Sequence, residues 1–293
     1  MTERPEKVLC VGRLYCDLIF TGAPGLPTAG TETFAKGLCM DVGGGAFITA
    51  ATLSALGRPT ALMAMIPSAP FADFVMQDPL FDQLDTGRCA QTAAEFDPQI
   101  TVAITTDSDR AFLSRKSGPA LPPVQAEDFD GIRHLHIGEL RTLVEHPELI
   151  DLAHKSGVSI SLDCGWDEDL FDADEDLASL ISAVDLFLPN EHEAARLDFI
   201  GVPLPEATTV VKTGAQGAHL VRAGRKVQAD APKVPVIDTT GAGDAFNAGF
   251  LNAWLNSASD LDCLSSGIAS GSAGVQHAGG TGALRQPPVK ATA

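Results

Sequence analysis

The most informative part of this sequence is Asp238-Thr239-Thr240-Gly241-Ala242-Gly243-Asp244-Ala245-Phe246-Asn247-Ala248-Gly249-Phe250. Its glycine-rich turn follows an apolar, β-branched run, Val234–Ile237, that predicts extended chain, and it precedes residues that suit a buried helix. The first turn of a helix has unpaired backbone N–H groups and the positive end of the helix dipole, and glycines there let an anion approach. Asp244 stands where a base can take a proton from a hydroxyl that attacks phosphorus. The stretch therefore outlines a phosphoryl-transfer site.

The same stretch also has a plainer interpretation. Glycine-rich helix starts are common, and an Asp in a first turn often only caps the helix. The complete run, however, resembles the C-terminal signature of the PfkB (ribokinase-like) family of carbohydrate and nucleoside kinases. The resemblance implies that Gly241, Ala242 and Gly243 form an anion hole for the transferring phosphoryl group and that Asp244 is the catalytic base. It also implies ATP as the phosphoryl donor, together with Mg²⁺.

Composition limits the classes of partner. The chain has 20 Lys+Arg against 38 Asp+Glu, so its formal net charge is −18. This charge repels nucleic acid and anionic membranes, and we expect neither as a partner. The N-terminal residues lack the apolar core of a secretory signal, and no long apolar run predicts a membrane span. Six scattered cysteines without a C-x-x-C pair favour free thiols over disulfides or zinc, so we expect a cytoplasmic protein.

The order of strand-like and helix-like segments predicts the architecture. They alternate along the chain, which indicates an α/β fold with a mostly parallel central sheet flanked by helices. Two regions, 13–42 and about 90–115, break the alternation and are typical of β-hairpins. In the PfkB family the corresponding segments form a small β-sheet lid over the sugar, and members often dimerise through it. We therefore interpret residues 1–293 as one ribokinase-like kinase domain with a lid, and the resemblance allows a homodimer through that lid.

A second glycine-rich segment, Gly43-Gly44-Gly45-Ala46-Phe47-Ile48-Thr49-Ala50, precedes a predicted helix. Consecutive glycines permit close approach of a ligand, although a simple loop before a helix has the same composition. By resemblance, Gly43 and Gly44 contact the substrate. Family members usually carry an Asn four residues after the second glycine, where it binds substrate hydroxyls, and here Ile48 takes that place. Because an apolar side chain cannot replace an amide, this departure argues against a ribose- or fructose-like binding mode.

Three further residues are candidates for the substrate site. Asp17 lies just beyond the first predicted strand and resembles the family Asp that accepts hydrogen bonds from sugar hydroxyls, although a lone Asp after a strand often only forms a turn. Glu139 follows another predicted strand, where ribokinase-like proteins place a substrate-contacting acid. Arg110 lies in the predicted lid and is a candidate contact for a ligand anion, with a solvated turn arginine as the alternative.

Asn190 and Glu193 resemble the N-x-x-E motif of the family. Their spacing is also that of a helix start with an acidic first turn. The resemblance implies that the two side chains orient water molecules around Mg²⁺, an ion that keeps much of its hydration shell.

The segment Val210–Ala218 resembles the strand and turn that border the nucleotide in the family. Lys212 lies within it, and its charge can assist phosphate binding, with a turn lysine of no role as the alternative. Gly214, Gly217 and Thr239 are assigned to the nucleotide site by the same resemblance.

Together these features predict an ATP-dependent, Mg²⁺-assisted kinase that phosphorylates a hydroxyl of a small sugar or sugar-like molecule. The rival hypothesis is a catalytically idle sugar- or nucleotide-sensing protein on the same fold, because fold alone does not guarantee activity. A dinucleotide-binding oxidoreductase lacks support because no G-x-G-x-x-G follows the first strand, and a P-loop NTPase lacks support because no G-K-[ST] occurs. The sequence does not name the acceptor.

Overall fold

The computed structural model describes residues 7–94, 96, 98–106, 110–173, 175–205 and 207–285. Its strands are β1 (Lys7–Val11), β2 (Tyr15–Thr21), β3 (Gly37–Gly43), β4 (Thr60–Met63), β5 (Met65–Ile66), β6 (Ala90–Gln91), β7 (Ile100–Thr105), β8 (Arg110–Arg115), β9 (Ile132–Ile137), β10 (Ser159–Leu162), β11 (Leu186–Phe187), β12 (Thr209–Lys212), β13 (Ala218–Arg222) and β14 (Arg225–Ala229). Its α-helices are α1 (Gly45–Ala55), α2 (Phe71–Met76), α3 (Leu140–Glu145), α4 (Glu148–Lys155), α5 (Glu168–Phe171), α6 (Leu177–Ser182), α7 (Glu191–Phe199), α8 (Ala242–Leu255) and α9 (Asp260–Gly274).

The larger sheet has the strand order β14-β13-β12-β11-β10-β9-β1-β4. The neighbouring strands β12, β11, β10, β9, β1 and β4 of this sheet run parallel. Strands β13 and β14 form an antiparallel hairpin at one edge. Strand β1 shows why this sheet forms, because its four residues after Lys7 are apolar and completely buried. Val8 and Cys10 pack into one hydrophobic cluster, and Leu9 and Val11 pack into the other, on the opposite face. The predicted parallel sheet with helices on both faces is thus present.

The smaller sheet has the order β3-β2-β7-β8. Strands β2 and β3 are antiparallel, as are β7 and β8, and β2 and β7 are joined in parallel. The predicted lid sheet is therefore present, but its second part begins at Ile100 rather than near residue 90. Ala90 and Gln91 instead pair with Met65 and Ile66 in a separate two-stranded sheet.

The topology brings polar residues to one edge of the larger sheet. Strands β9, β10 and β12 are parallel, so their carboxyl ends meet at the same edge. Glu139 follows β9, Asp163 follows β10, and Lys212 is the last residue of β12. Helix α8 packs against α1 and α9 and begins at this edge with Ala242.

Three smaller expectations have mixed outcomes. The run Val234–Ile237 belongs to no strand of the described residues and is largely exposed, and Ile237 N–H donates to Val275 O at 2.8 Å. Of the cysteines, Cys10, Cys16, Cys164 and Cys263 are buried free thiols as predicted, whereas Cys39 is exposed and Cys89 is partly buried. Within the described ranges, no helix has the length and apolar character needed to cross a bilayer.

Candidate active site

The start of helix α8 is built by a tight turn. Gly241 takes the N-cap position with φ of 70°, a left-handed conformation that glycine adopts without strain. Its carbonyl accepts the first helical bond from Ala245 N–H at 2.9 Å, and Ala242 N–H donates to Thr239 O at 3.3 Å. Among the described residues, the N–H groups of Gly243 and Asp244 have no hydrogen-bond partner. These two amides are available to an anion.

Asp238 stabilises the turn before α8, because its carboxylate accepts hydrogen bonds. One oxygen of its buried carboxylate accepts hydrogen bonds from Thr240 N–H at 2.9 Å and from Thr240 Oγ1 at 2.7 Å. The other oxygen accepts a bond from Gly279 N–H at 2.9 Å. Sequence reasoning gave Asp238 no role, although an Asp two residues before an N–H that it can bind is a familiar turn signal.

The carboxyl group of Asp244 lies in a crowded, acidic environment. A Cβ added to Gly45 would stand 2.9 Å from its Oδ1, and Thr49 Oγ1 donates to its backbone carbonyl at 3.1 Å. Burial raises the pKa of Asp244 to about 7, and the negative charges of Asp163 and Glu193 act in the same direction. Asp244 thus has a pKa near neutrality, which suits a general base.

Lys212 is held next to this acid by two partners. Its ammonium group donates to both oxygens of Asp163, at 2.9 and 3.0 Å, and to Asn247 Oδ1 at 3.2 Å. The positive charge of Lys212 lowers the pKa of Asp244 and so partly offsets the effect of burial. Sequence reasoning selected Lys212 but assigned no chemistry to Asp163 or Asn247.

Asn190 and Glu193 form a reciprocal capping box at the start of α7. Asn190 Oδ1 accepts a bond from Glu193 N–H at 2.9 Å, and Glu193 Oε2 accepts one from Asn190 N–H at 2.7 Å. Burial, with the neighbouring Asp163, raises the pKa of Glu193 to about 7. The N-x-x-E spacing therefore has a structural role here, as the capping box of α7.

Asp244, Lys212, Asn190 and Glu193 all line one central cavity of about 580 Å³. The remaining lining residues are Gly45, Gly138, Glu139, Asp163, Gly165, Glu191, His192, Gly214, Thr239 and Gly243. In the part of the chain that the structure describes, no group of three or more His, Cys, Asp or Glu side chains could hold a metal ion directly. Burial nevertheless raises the pKa of Glu193 and of Asp244, and the negative charge of the neighbouring Asp163 adds to both shifts, so negative charge at this site is incompletely compensated. A hydrated Mg²⁺ ion fits such a site, because it uses few protein ligands and keeps its water.

A second cavity, of about 390 Å³, adjoins the central one on the α9 side. The two share Lys212, Gly214, Thr239 and Gly243. Five residues are predicted to bind the nucleotide. Four of them line this cavity, namely Lys212, Gly214, Gly217 and Thr239, whereas Asn190 does not. Its wall is otherwise largely apolar and includes Val234, Val236, Phe246, Ile268, Gly271 and Val275.

A third cavity, of about 600 Å³, adjoins the central one on the lid side. The two share Glu139 and Gly165. Lid strand β8 contributes Phe112 and Ser114, and the loop after β10 contributes Trp166. The row of three cavities therefore runs from α9 to the lid, with Asp244 in the middle one.

Asp17 lies on β2 and faces the glycine segment. A Cβ added to Gly43 would collide with its carboxylate, so only glycine fits there. The Asp17 side chain is buried, and its carboxylate has no hydrogen-bond partner among the residues that the structure describes. Burial raises the pKa of Asp17 to about 7, and the nearby Asp41 and Asp238 add to the effect. A buried carboxylate without a partner is a group that a ligand can satisfy.

Gly44 and Ile48 have packing roles. Gly44 has φ of 107°, and a Cβ there would collide with the carbonyl of Arg13. The Ile48 side chain is 3% exposed. It packs against Gly280 and against Gly241, so closely that a Cβ on Gly241 would stand 3.1 Å from Ile48 Cδ1. Ile48 thus lies in the core beneath the turn of α8 and lines none of the three cavities described above.

Arg13 joins the lid to the larger sheet, a contact that sequence reasoning missed. Its buried guanidinium donates to Gln99 Oε1 at 2.5 Å and Gly118 O at 3.0 Å, the residues that flank β7 and β8. It also forms two 2.6 Å bonds with the carboxylate of Glu145 on α3. Its Nε lies 3.9 Å from Glu139 Oε1 and has no hydrogen-bond partner in the described residues. Nothing local in the sequence around Arg13 marks these partners, which are 86 to 132 residues away.

Arg110 opens strand β8, and its side chain lies outside the described part of the structure. Glu139 is the N-cap residue of α3 and lines both the central and the lid-side cavity. Thr142 Oγ1 donates to Glu139 Oε1 at 2.8 Å, and burial raises the pKa of Glu139.

Comparison with known proteins gives this arrangement a family. Residues 5–287 match the sequence pattern of the family described as "pfkB family carbohydrate kinase". The fructokinase of Rhizobium leguminosarum bv. trifolii is 28% identical over 269 residues, which cover 83% of this chain and 78% of the fructokinase. The ATP-dependent ribose-1-phosphate kinase of Halopiger xanaduensis is 32% identical over 108 residues, and there the chain spans 35% of the relative's length.

Solved structures confirm the predicted fold. Arabidopsis thaliana ribokinase, complexed with ribose and ATP, superposes with a TM-score of 0.77 at 20% identity, covering 95% of each chain. The nucleoside kinase of Methanocaldococcus jannaschii has a TM-score of 0.77 at 21% identity, covering 94% of this chain and 93% of its own. The fold is the ribokinase-like α/β fold with its separate smaller sheet, and the chain belongs to the pfkB family of carbohydrate kinases.

Proposed function

We propose that this protein is an ATP-dependent kinase that phosphorylates a hydroxyl of a small sugar or sugar-like substrate. The observation that carries the proposal is the position of Asp244, in a central cavity that joins one cavity on the α9 side and another on the lid side. A donor bound on the first side and an acceptor bound on the second meet beside its carboxyl group.

The start of α8 supplies the chemistry at that meeting point. Asp244, with its pKa near 7, accepts the proton of the attacking hydroxyl. The turn Gly241-Ala242-Gly243 acts as the anion hole. Because Ala242 N–H is already bonded to Thr239, the free donors around this turn, within the described residues, are the N–H groups of Gly241, Gly243 and Asp244. Positioning and electrostatic stabilisation of this kind account for most of the catalysis of phosphoryl transfer.

The α9-side cavity suits the nucleotide. Its apolar wall takes a planar base, and the turn that carries Gly214 and Gly217 borders it. Lys212 lies at its junction with the central cavity, where the phosphate chain crosses. Asn190 and Glu193 would hold Mg²⁺ through water molecules, and the ion would supply positive charge to offset that of the phosphate groups.

We place the acceptor on the opposite side, beside Glu139, which lines the central and the lid-side cavity. We also place it near Gly43, Gly44 and Asp17, which line none of the three cavities. Asp17 and Glu139 then accept hydrogen bonds from its hydroxyl groups, which suits ionised carboxylates because they are acceptors alone. Ile48 points into the core, so this site has no amide in the place where family members usually carry Asn. The free thiols and the use of ATP favour the cytoplasm as the compartment.

The lid also offers a surface for a homodimer. Strand β3 is the edge strand of the lid sheet, and it exposes Leu38 and Met40 to 60% and 40%. Exposed apolar side chains on an unpaired edge strand are a usual place for a second copy to pair. Light scattering tests this: the wild type should be a dimer and Leu38→Glu a monomer, and a monomeric wild type would contradict the pairing.

A broad acceptor screen tests the proposed activity. Sugars, polyols and nucleosides are incubated with ATP and Mg²⁺, ADP release is measured, and ³¹P NMR identifies the phosphorylated product. We expect at least one acceptor to give ADP and a phosphomonoester in equal amounts. Measurable binding of nucleotide or sugar without turnover of any acceptor would instead favour a sensing protein on the same fold.

A further inference from the structure

Both the backbone and the side chain of Lys212, a lysine beside a cavity, are held by hydrogen bonds. Its backbone is held at the end of β12, where its N–H donates to Pro189 O at 3.0 Å. Its side chain is 11% exposed, and the ammonium group has three acceptor atoms, two on Asp163 and one on Asn247. A lysine side chain is otherwise a flexible stem with several rotatable bonds, so this arrangement removes most of its freedom.

The two partners of Lys212 are also bonded to each other. Asn247 Nδ2 donates to Asp163 Oδ2 at 2.5 Å, and Cys164 N–H donates to Asp163 Oδ1 at 2.8 Å. Asn247 is fully buried, and Asp163 is 6% exposed. Asp163, Lys212 and Asn247 therefore form a closed triangle, which we call the lysine triangle.

The lysine triangle is tied to the start of α8. Asn247 lies on α8, three residues after Asp244, and so close to one turn further along the same helix. A Cβ added to Gly243 would stand 3.4 Å from Lys212 Nζ, so the ammonium group lies directly beside the turn whose amides are free. Lys212 and Gly243 both line the central and the α9-side cavity.

Stability alone does not explain such a triangle. Taking two charges out of water costs about as much as their attraction returns, and well-packed apolar residues in the same place are often equally stable. Here the cation borders the passage between two cavities instead of being enclosed by protein. A fixed cation in that place attracts an anionic ligand, and its protein partners set where it stands.

The geometry points to Asp163 and Asn247 as positioning residues, which hold the Lys212 ammonium group beside the anion hole so that it binds the terminal phosphates of the nucleotide. This inference rests on the proposed function, because it needs a nucleotide in the α9-side cavity. It adds two residues that touch neither nucleotide nor acceptor and act through Lys212.

Equilibrium binding tests the inference without any acceptor or turnover. Isothermal titration calorimetry compares a non-hydrolysable ATP analogue with adenosine, each in the presence of Mg²⁺. In Asn247→Ala no charge changes, but Lys212 loses one of its three acceptor atoms and Asp163 loses the bond from Asn247 Nδ2, so Asp163 alone holds the ammonium group. We expect the analogue to bind roughly 3- to 10-fold more weakly, as for the loss of one or two hydrogen bonds, and adenosine to bind within about 2-fold of wild type.

Removal of the cation itself gives the larger effect. In Lys212→Met the loss of a charge-assisted contact should weaken the analogue by roughly 10- to 100-fold and leave adenosine within about 2-fold. Lys212→Met leaves the buried Asp163 carboxylate without its cation, although Asn247 and Cys164 still donate to it. The double variant Lys212→Met, Asp163→Asn therefore removes both charges, and it should weaken binding of the analogue to a similar extent. Lys226→Met, which removes an exposed lysine of β14 far from the cavities, is the matched control and should bind both ligands as the wild type does.

The outcomes separate this inference from the proposed function. If Asn247→Ala and the double variant melt at a lower temperature but bind the analogue within 2-fold of wild type, the lysine triangle is structural and the inference is wrong. If the wild type releases ADP with an acceptor while these variants keep normal affinity, the kinase proposal stands and only the positioning role fails. If the wild type binds neither ligand, the proposed function fails first and the positioning role fails with it.

Discussion

Gly45 lies directly against the carboxyl group of Asp244. A Cβ added to Gly45 would stand 2.9 Å from Asp244 Oδ1 and 2.9 Å from the carbonyl oxygen of Gly138. Gly45 is therefore required because the side chain of Asp244, the proposed base, occupies the space beside it. The two residues are distant in sequence and are brought together by the fold.

This contact predicts the effect of Gly45→Ala. The new methyl group must displace both the Asp244 carboxyl group and the Gly138 carbonyl, and small displacements of a catalytic group are costly, so we expect kcat to fall by about 10- to 100-fold. The fold should survive, because alanine favours a helix over glycine by roughly 0.5–1 kcal/mol. The control is Gly25→Ala, where an added Cβ meets no atom within 4 Å. Equal kcat values for the two variants would show that the contact does not matter for turnover.

Ile48→Asn tests where the departure from the usual family residue acts. Because Ile48 is buried against Gly241 and Gly280, an Asn there buries a polar amide and loses packing, and we expect the free energy of unfolding to fall by about 2–4 kcal/mol in urea titrations. The KM for the acceptor should not improve. Ile48→Val, which removes one methyl group, should cost about 1 kcal/mol. A stable Ile48→Asn variant with a lower acceptor KM would mean that the side chain faces the substrate.

Arg13→Met tests the link between the lid and the larger sheet. The substitution frees Gln99 and Gly118 at the base of the lid and leaves Glu145 without its partner. Since strand β8 of the lid and Glu139, which lies 3.9 Å from Arg13, both line the lid-side cavity, we expect the KM for the acceptor to rise at least 10-fold and the KM for ATP to stay within 2-fold of wild type.

Hydrogen exchange gives a second readout for Arg13. The amides of β7 and β8 should exchange faster in Arg13→Met, because the lid has lost the hydrogen bonds that Arg13 donates to Gln99 and Gly118. Arg133→Met, at an exposed arginine of β9, serves as the control for loss of a positive charge. An equal rise in both KM values, with unchanged exchange in the lid, would contradict a role confined to the acceptor side.

The pH dependence of kcat/KM follows from the raised pKa values. The proposed base must be ionised, so kcat/KM should fall as the pH drops below about 7, the pKa of Asp244. Asp17 and Glu193 also have pKa values of about 7, so the logarithmic plot should have a slope above one if more than one of these groups must be ionised. Initial rates between pH 5.5 and 9 check this. A profile that stays flat down to pH 5.5 would exclude a base with this pKa.

Local patterns made parts of the site predictable. The glycine turn with Asp244 and the N-x-x-E capping box are each read within a few neighbouring residues, and Lys212 lies in a short strand next to a glycine turn. The parallel sheet was predictable for a similar reason, since short apolar runs such as Val8–Val11 alternate with helical segments.

Contacts between distant parts of the chain were not predictable in this way. Asp163 lies 49 residues from Lys212 and 84 from Asn247, and only the strand order brings the three together. Arg13 meets Gln99 and Glu145 because the lid folds back over the larger sheet. The run Val234–Ile237 misled the prediction because β-branched residues also suit the wall of a cavity, and Val234 and Val236 line the one beside α9.

Asp244→Asn tests the central claim most directly. The variant keeps the shape of the side chain but cannot accept a proton, so kcat should fall by about 10²- to 10⁴-fold, while the affinity for ADP stays within 2-fold of wild type. A melting curve at pH 8 excludes loss of the fold as the cause. Burial raises the pKa of Asp244 in the folded state above its ordinary value, so its ionisation lowers the stability of the fold as the pH rises toward 7. Asp244→Asn should therefore melt at the same temperature as the wild type or at a higher one. A kcat for Asp244→Asn near that of the wild type, on the acceptor found by the screen, would contradict the assignment of Asp244 as the base.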